Sequence, residues 1–368
     1  TIDASGLYAA PAVPPSPNTV TVKATSTADI NRNATASMAV SNPAPTLSSI
    51  SPTSLNAGIG DTTLTVNGSG FNAQSVVMLG ANSLATTFVN GGQLTAVAPA
   101  ASLATAGTFA VTVVTPSPGG GTSNGNNLQV LLVVGVSPGS ASLLTGGTQQ
   151  FTSTVTGGAN SVAWSVNDVA GGNATVGTID AGGLYTAPAV PPSPNTVTVK
   201  ATSTADTSRS ATASATVSNP APAISSISPT SLNAGIGDTT LTVYGSGFNA
   251  QSVVMLGANS LATTFVNGGQ LTAVAPAASL ATGGTLVVTV VAPAPGGGTS
   301  NGNNLQVLLV VGVSPGSASL LTGGTQQFTS TVTGGANSVT WSVNDVAGGN
   351  STVGTITAGG IYTAPAVP

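Results

Sequence analysis

The sequence contains no cysteine, no histidine and no glutamate, and only 12 of its 368 residues are charged. Without Cys there is no disulfide, thiol nucleophile, thiolate metal site or iron–sulfur cluster. Without His there is no serine triad and no imidazole acid–base pair. Charged residues make up 3% of the chain, against about 25% in an ordinary soluble domain. Four Lys and Arg with a net charge of −4 cannot neutralise a phosphate backbone, so nucleic acid is a poor partner. No run approaches the roughly 18 apolar residues of a membrane span; the longest, Val307–Val311, is one strand long. These absences remove most catalytic chemistry and predict no enzyme, no catalytic residue, no cofactor and no metal ligand set.

What is present is Gly, Pro, Thr, Ser, Asn and small apolar residues. Gly and Pro number 48 and 24, enough to raise the question of disorder. Charge is too low for a self-repelling coil, and apolar residues alternate along many segments, which favours folded strands. The chain starts at Thr1 in mid-pattern, as expected for a processed N-terminus or a window on a longer chain.

The main feature is an internal repeat. The segment beginning TIDASGLY at Thr1 returns at Thr178, that beginning FNAQSVVMLG at Phe71 returns at Phe248, and that beginning SPGSASLL at Ser137 returns at Ser314. Every offset is 177 residues, 160 of 177 positions are identical, and Thr355–Pro368 begins a third copy. The period is too long for a solenoid and has room for two small β-sandwiches. Near-identical units imply that each does the same job, which extends a fibre but adds little to an enzyme.

Helical spacing is nowhere sustained, while short alternating segments are punctuated by Gly, Pro, Asn and Asp. Val162, Trp164 and Val166 alternate with Ala163 and Ser165; Val197, Val199 and Ala201 alternate with Thr198 and Lys200. One face is apolar and one is Thr/Ser-rich, as half-buried antiparallel strands require. Trp164 fits the core anchor of a sandwich, with carbohydrate stacking as the sharper alternative. Leu241 and Val243 alternate with Thr240, Thr242 and Tyr244 and run into Gly245-Ser246-Gly247-Phe248. With no following helix or Lys, that glycine pair predicts a bulge or turn before a buried Phe and not a phosphate loop.

Two resemblances follow from these residues. Val134–Val217, with its Trp164 strand, Gly183-Leu184-Tyr185 segment and closing Val/Ala strands, resembles bacterial Ig-like group 2 domains. Ala223–Leu309, marked by Ile227-Ser228-Pro229 and Gly245-Ser246-Gly247-Phe248, resembles IPT/TIG domains. The resemblance implies an all-β chain of tandem Ig-like β-sandwiches. It divides as 1–41, the late part of an Ig-like domain; 42–132, IPT/TIG; 133–218, a complete Ig-like domain; 219–309, IPT/TIG; and 310–368, the early part of an Ig-like domain. Such modules imply secreted or surface-anchored bacterial proteins: fibres, adhesin stalks, or spacers in glycan-active enzymes. The near-absence of charge departs from most relatives.

The joints differ. Ser218-Asn219-Pro220-Ala221-Pro222 reads as a stiff extended connector. Leu305–Val313 reads as one strand running into the next, its consecutive apolar residues covered on both faces at a domain contact. The end pieces are complementary: 310–354 carries early Ig-like strands and 1–41 carries late ones. Either the chain is cut from a longer repeat, or each subunit completes its split domain with the next.

The eight Asp are dispersed in turns, where capping is the default; a structural ion using one Asp and carbonyls is the alternative. Lys23, Asp29 and Arg32, with copies Lys200, Asp206 and Arg209, flank one hairpin and predict a weak surface ion pair. A Lys–Asn isopeptide bond like those of Gram-positive pilins is a further option, with one apparently outward Lys per unit. Asn33, Asn67, Asn173 and Asn350 lie in N-x-S/T sequons, two of which are lost between copies. Uncharged Thr/Ser/Asn surfaces offer little repulsion to lateral association. The reading is therefore a subunit or segment of an extracellular or cell-surface bacterial filament. Its partners are copies of itself, head to tail and laterally, with surface or matrix glycans also considered, and without nucleic acid or a membrane span. An adhesin stalk and an enzyme spacer are the alternatives.

Overall fold

The computed structural model describes residues 1–367, and nearly all of its regular structure is β. The order along the chain is a lone hairpin, a two-sheet sandwich, a second sandwich of different topology, a repeat of the first sandwich, and an unfinished repeat of the second.

The first sandwich packs a four-stranded sheet, ordered Thr46–Ser51, Thr62–Ser69, Gln93–Ala98, Ala85–Asn90, against a second sheet. That sheet is ordered Ser54–Asn56, Asn126–Leu131, Gly107–Thr115, Val76–Leu79, Asn82–Ser83, with Gly121–Thr122 beside Gly107–Thr115. Alternation decides which side chains meet: Leu64 and Val66 point in from one sheet, Val111, Val113, Leu128 and Val130 from the other, and they form one core. The glycine pair is a tight crossing before a buried aromatic. Gly68 lies against the Thr46 carbonyl and the Phe71 ring, leaving no room for a Cβ, and Phe71 is buried. Residues 224–307 repeat this sandwich with the equivalent core.

The central sandwich, 133–218, joins a five-stranded sheet to smaller ones. Its order is Ser140–Leu144, Ser210–Ser218, Thr196–Ser203, Val162–Val166, Val169–Ala170. The first pair is parallel and the rest are antiparallel. Its core holds thirteen buried apolar residues, six of which (Val197, Val199, Ala201, Ala213, Ala215 and Val217) come from the two late strands. Trp164 is 7% exposed within that core, beside Phe151 and Tyr185, which makes it an anchor and not a stacking platform. Lys200 turns outward, as its register requires.

At the N-terminus the strands Thr19–Thr25 and Asn33–Ala39 pair only with each other. At the C-terminus the early strands of the same sandwich recur, but 317–321, the counterpart of Ser140–Leu144, forms no strand. The counterpart of Val162–Val166 keeps only Ser342–Val343. In the central domain these segments pair with Ser210–Ser218 and Thr196–Ser203, and no such strands lie beside them among the described residues, so the difference is not sequence-local.

Candidate assembly site

The chemistry-bearing side chains do not converge. Asp61 and Asp238 accept the backbone N–H of Ala100 and Ala277 at 2.8 Å, and Asp180 accepts that of Leu184. Asp3 accepts the Ser5 hydroxyl and the Leu7 N–H, which holds its carboxyl below the usual value. The Ser208 hydroxyl, 2.6 Å away, does the same for Asp206, with a smaller contribution from Arg209. The hairpin charges pair as Arg32–Asp29 and Arg209–Asp206 at 3.7 and 3.8 Å, but Lys200 reaches elsewhere, to Asp168 at 3.0 Å. Asp168 is presented by a two-residue turn in which Asn167 and Asp168 both have positive φ, the geometry that hairpins of this length favour. Among the described residues no three His, Cys, Asp or Glu form a metal-binding group. Of the sequon residues, Asn173 and Asn350 use their side-chain oxygens to cap local backbone N–H groups.

Organisation is concentrated instead at the joints. The connector read as an extended Pro-rich link is clamped by its Asn. Asn219 is 3% exposed; its backbone N–H donates to the Pro295 carbonyl and its Nδ2 to the Pro293 carbonyl, both at 2.8 Å. Asn42 makes the same two bonds to Pro118 and Pro116, and Asn72 Nδ2 donates to Asn42 Oδ1 at 2.7 Å. A buried Asn with these partners fixes the last Ig-like strand against a loop of the next sandwich. In sequence it resembles any loop Asn; its only signal is identical recurrence at the 177-residue offset.

The other joint has no linker at all. Strand Asn126–Leu131 is followed by Leu132 and then strand Val133–Ser137, so the run is interrupted rather than continuous. Ala106 N–H donates to the Gly157 carbonyl at 2.9 Å across the joint, and Ala57 lies against Gly157. Leu132 is buried there, beside Gly158 and near the turn at Ala205 and Asp206. The second unit repeats the bond, Gly283 N–H to the Gly334 carbonyl at 2.8 Å. Yet Leu309 is 55% exposed where Leu132 is 7%. The expectation of apolar residues covered on both faces therefore holds only where the late hairpin is present to cover them.

The unfinished sandwich exposes the third feature. Val311, Val313 and Leu321 are 60%, 52% and 86% exposed. A groove of about 520 Å³ opens between Val313, Leu320, Phe328, Trp341 and Tyr362, where the central domain has its closed core.

The sequence model of the IPT/TIG domain family matches residues 45–130 and 222–307, so the two equivalent sandwiches are IPT/TIG domains. No curated protein matches the chain. Solved structures similar to it are tandem Ig-like arrays. The plexin A4 extracellular region is 15% identical with a TM-score of 0.20, over 63% of this chain and 21% of that one. The N-terminal eight Ig domains of Down Syndrome Cell Adhesion Molecule are 14% identical with a TM-score of 0.22, over 76% and 44%. Invasin, a bacterial integrin-binding protein, is 13% identical with a TM-score of 0.28, over 87% and 74%. The chain thus spans about a fifth and under half the length of the first two. Such similarity concerns the β-sandwich fold alone.

Proposed function

We propose that this chain, two IPT/TIG domains interleaved with Ig-like sandwiches, is a structural segment of an extracellular bacterial filament. Its work is mechanical: each sandwich adds length, and each joint limits bending. The observation that carries the reading is the repetition of both joints, the Asn clamp and the glycine-backed backbone bond, at the same offset in each unit. A flexible tether would connect its modules through Gly/Ser linkers that impose no orientation. Here a hydrogen bond lies at every module boundary, and the side chain at the boundary is buried at Asn42, Leu132 and Asn219. The surfaces between joints are Thr-, Ser- and Asn-rich with few charges, which favours lateral association of neighbouring filaments.

The test is mechanical too. A four-residue Gly/Ser insertion at Leu132–Val133 and at Leu309–Val310 is expected to broaden the range of bend angles seen by electron microscopy. It should also lower the apparent persistence length. An unchanged bend distribution would remove the reading.

A further inference from the structure

The two IPT/TIG domains are not interchangeable on one face. In the strands, their four-stranded sheets differ at only three positions: Thr46, Leu47 and Asn67 become Ala223, Ile224 and Tyr244. Asn67 lies in a row of outward side chains that runs across the sheet, with Ser49 on one neighbouring strand and Gln93 on the other. In the first domain this row satisfies itself. Asn67 Nδ2 donates to Ser49 Oγ at 3.2 Å, and Gln93 Nε2 donates to Asn67 Oδ1 at 3.0 Å.

The second domain keeps the flanking groups and removes what joined them. Tyr244 stands between Ser226 and Gln270 in the same register and is 41% exposed. Among the described residues, the Ser226 hydroxyl, the Gln270 amide and the Tyr244 hydroxyl take part in no hydrogen bond, whereas both flanking groups of the first domain are bonded to Asn67. One step along the strands, about 7 Å away, lies a second outward row, the hydroxyls of Ser228, Thr242, Thr272 and Thr264, one on each strand. Neither row holds a charge. Asp238, whose carboxylate accepts the Ala277 N–H, is the one charged residue in 222–307.

An exposed ring beside free hydroxyl and amide groups on an uncharged sheet face has a particular complement. Tyr presents an apolar body with a polar tip. A pyranose has an apolar C–H face and a rim of hydroxyls that both donate and accept, so it covers the ring while its rim bonds to the flanking groups. A charged ligand would find no free counter-charge in this domain, and burying a charge unpaired is costly. A purely apolar partner would leave the Ser226 and Gln270 groups dry and unpaired. Neighbouring strands stand about 4.8 Å apart, close to the advance per sugar of an extended polysaccharide, so successive sugars along a row meet side chains of successive strands.

We propose that the outer face of the second IPT/TIG domain binds an uncharged, extended polysaccharide. One sugar stacks on Tyr244, Ser226 and Gln270 bond to hydroxyls at its rim, and the row through Thr242 and Thr272 flanks the chain. The matching face of the first domain, where Asn67 takes up both neighbours, does not bind it. The inference stands apart from the mechanical reading above: it concerns what the segment holds, not how it bends.

Native electrophoresis of the full chain through gels containing hydroxyethylcellulose or glucomannan, both neutral and β-1,4-linked, tests this, with the acidic polysaccharide alginate in a parallel gel. The chain is expected to be retarded in both neutral gels and to run freely in alginate. Tyr244→Asn, which installs the residue that the first domain carries there, should abolish the retardation. Asn67→Tyr, which builds the second domain's row in the first, should strengthen it at least about twofold, as a second linked site does. Gln270→Ala should weaken it about threefold to tenfold, as the loss of one hydrogen bond does, and Tyr244→Phe, which keeps the ring, should keep most of it. Free migration in both neutral gels, undiminished retardation of Tyr244→Asn, no gain in Asn67→Tyr, or stronger retardation in alginate would each overturn the proposal. Self-association in sedimentation velocity that Tyr244→Asn abolishes, without retardation in the gels, would overturn it too, because the face would then hold a second copy.

Discussion

Gly157→Ala puts the strongest local test on the joint between the first IPT/TIG domain and the central sandwich. Gly157 has φ +95, and an added Cβ would run into the Ala57 Cβ and come within 3.2 Å of the Ala106 nitrogen. The backbone conformation costs a non-glycine residue about 1–2 kcal/mol, and overpacking adds about 1–3 kcal/mol. Opening the joint instead sacrifices the Ala106–Gly157 hydrogen bond, about 1 kcal/mol, and part of the Leu132 burial, about 1–2 kcal/mol. Unfolding either domain costs about 5–15 kcal/mol. The strain therefore matches the cost of opening the joint and falls short of the cost of unfolding, so the joint should yield while both sandwiches stay folded. Spin labels at Thr87→Cys and Thr198→Cys, on exposed strand positions of the two domains, would report the interdomain distance distribution, narrow in the parent and broadened in Gly157→Ala. Gly146→Ala is the control: its φ is +73, but nothing lies within 4 Å of the added Cβ. A distribution as narrow as the parent's, or equal broadening by the control, would refute the argument.

Two further outcomes follow from single groups. Tyr185 is fully buried and its hydroxyl donates to the Val176 carbonyl at 2.8 Å; burial pushes its pKa up to about 12. A pKa raised on folding means the stabilisation is complete below the unfolded value near 10 and is lost as pH climbs through the folded one. At the acid end, Asp206 is lowered, so its contribution is present above the unfolded value near 3.8 and is lost as pH falls through the folded one. Central-domain stability should therefore be flat from about pH 5 to 9 and fall at alkaline pH, with a smaller alkaline fall in Tyr185→Phe; denaturant titrations across pH check this, and a change near neutrality would contradict it. Asn219→Ala removes the donor to the Pro293 carbonyl inside the second clamp and should cost about 1–3 kcal/mol. Chemical denaturation of that variant against Asn195→Ala tests whether the clamp outweighs an Asn bond to the Val217 carbonyl that stays within one domain.

Alternation made the strands legible because each pairs an apolar face with a Thr/Ser face: Leu64 and Val66, Val197 and Val199, and Trp164 all lie inward as their spacing requires. The repeat offset made equivalences legible, including that between the two ends of the chain. Three features were not legible, each for a physical reason. The parallel pairing of Ser140–Leu144 with Ser210–Ser218 joins segments about 70 residues apart, and neither carries a signal naming its partner. Asn219 sits among prolines, where a polar side chain suggests solvent; only the facing carbonyls of Pro293 and Pro295 reveal a clamp. Gly157-Gly158 reads as a turn, and nothing local shows that a second domain lies against it.

The same limit explains why identical segments differ in burial. Residues 132–136 and 309–313 have the same sequence, yet Leu132 is 7% exposed and Leu309 55%. Their own strand partners are equivalent, Thr152–Thr156 for one and Thr329–Thr333 for the other, in matching register. What differs is the late hairpin, which packs on the first segment and has no counterpart on the second. Burial here is therefore a property of a strand pair supplied from more than 60 residues away, not of the five residues themselves.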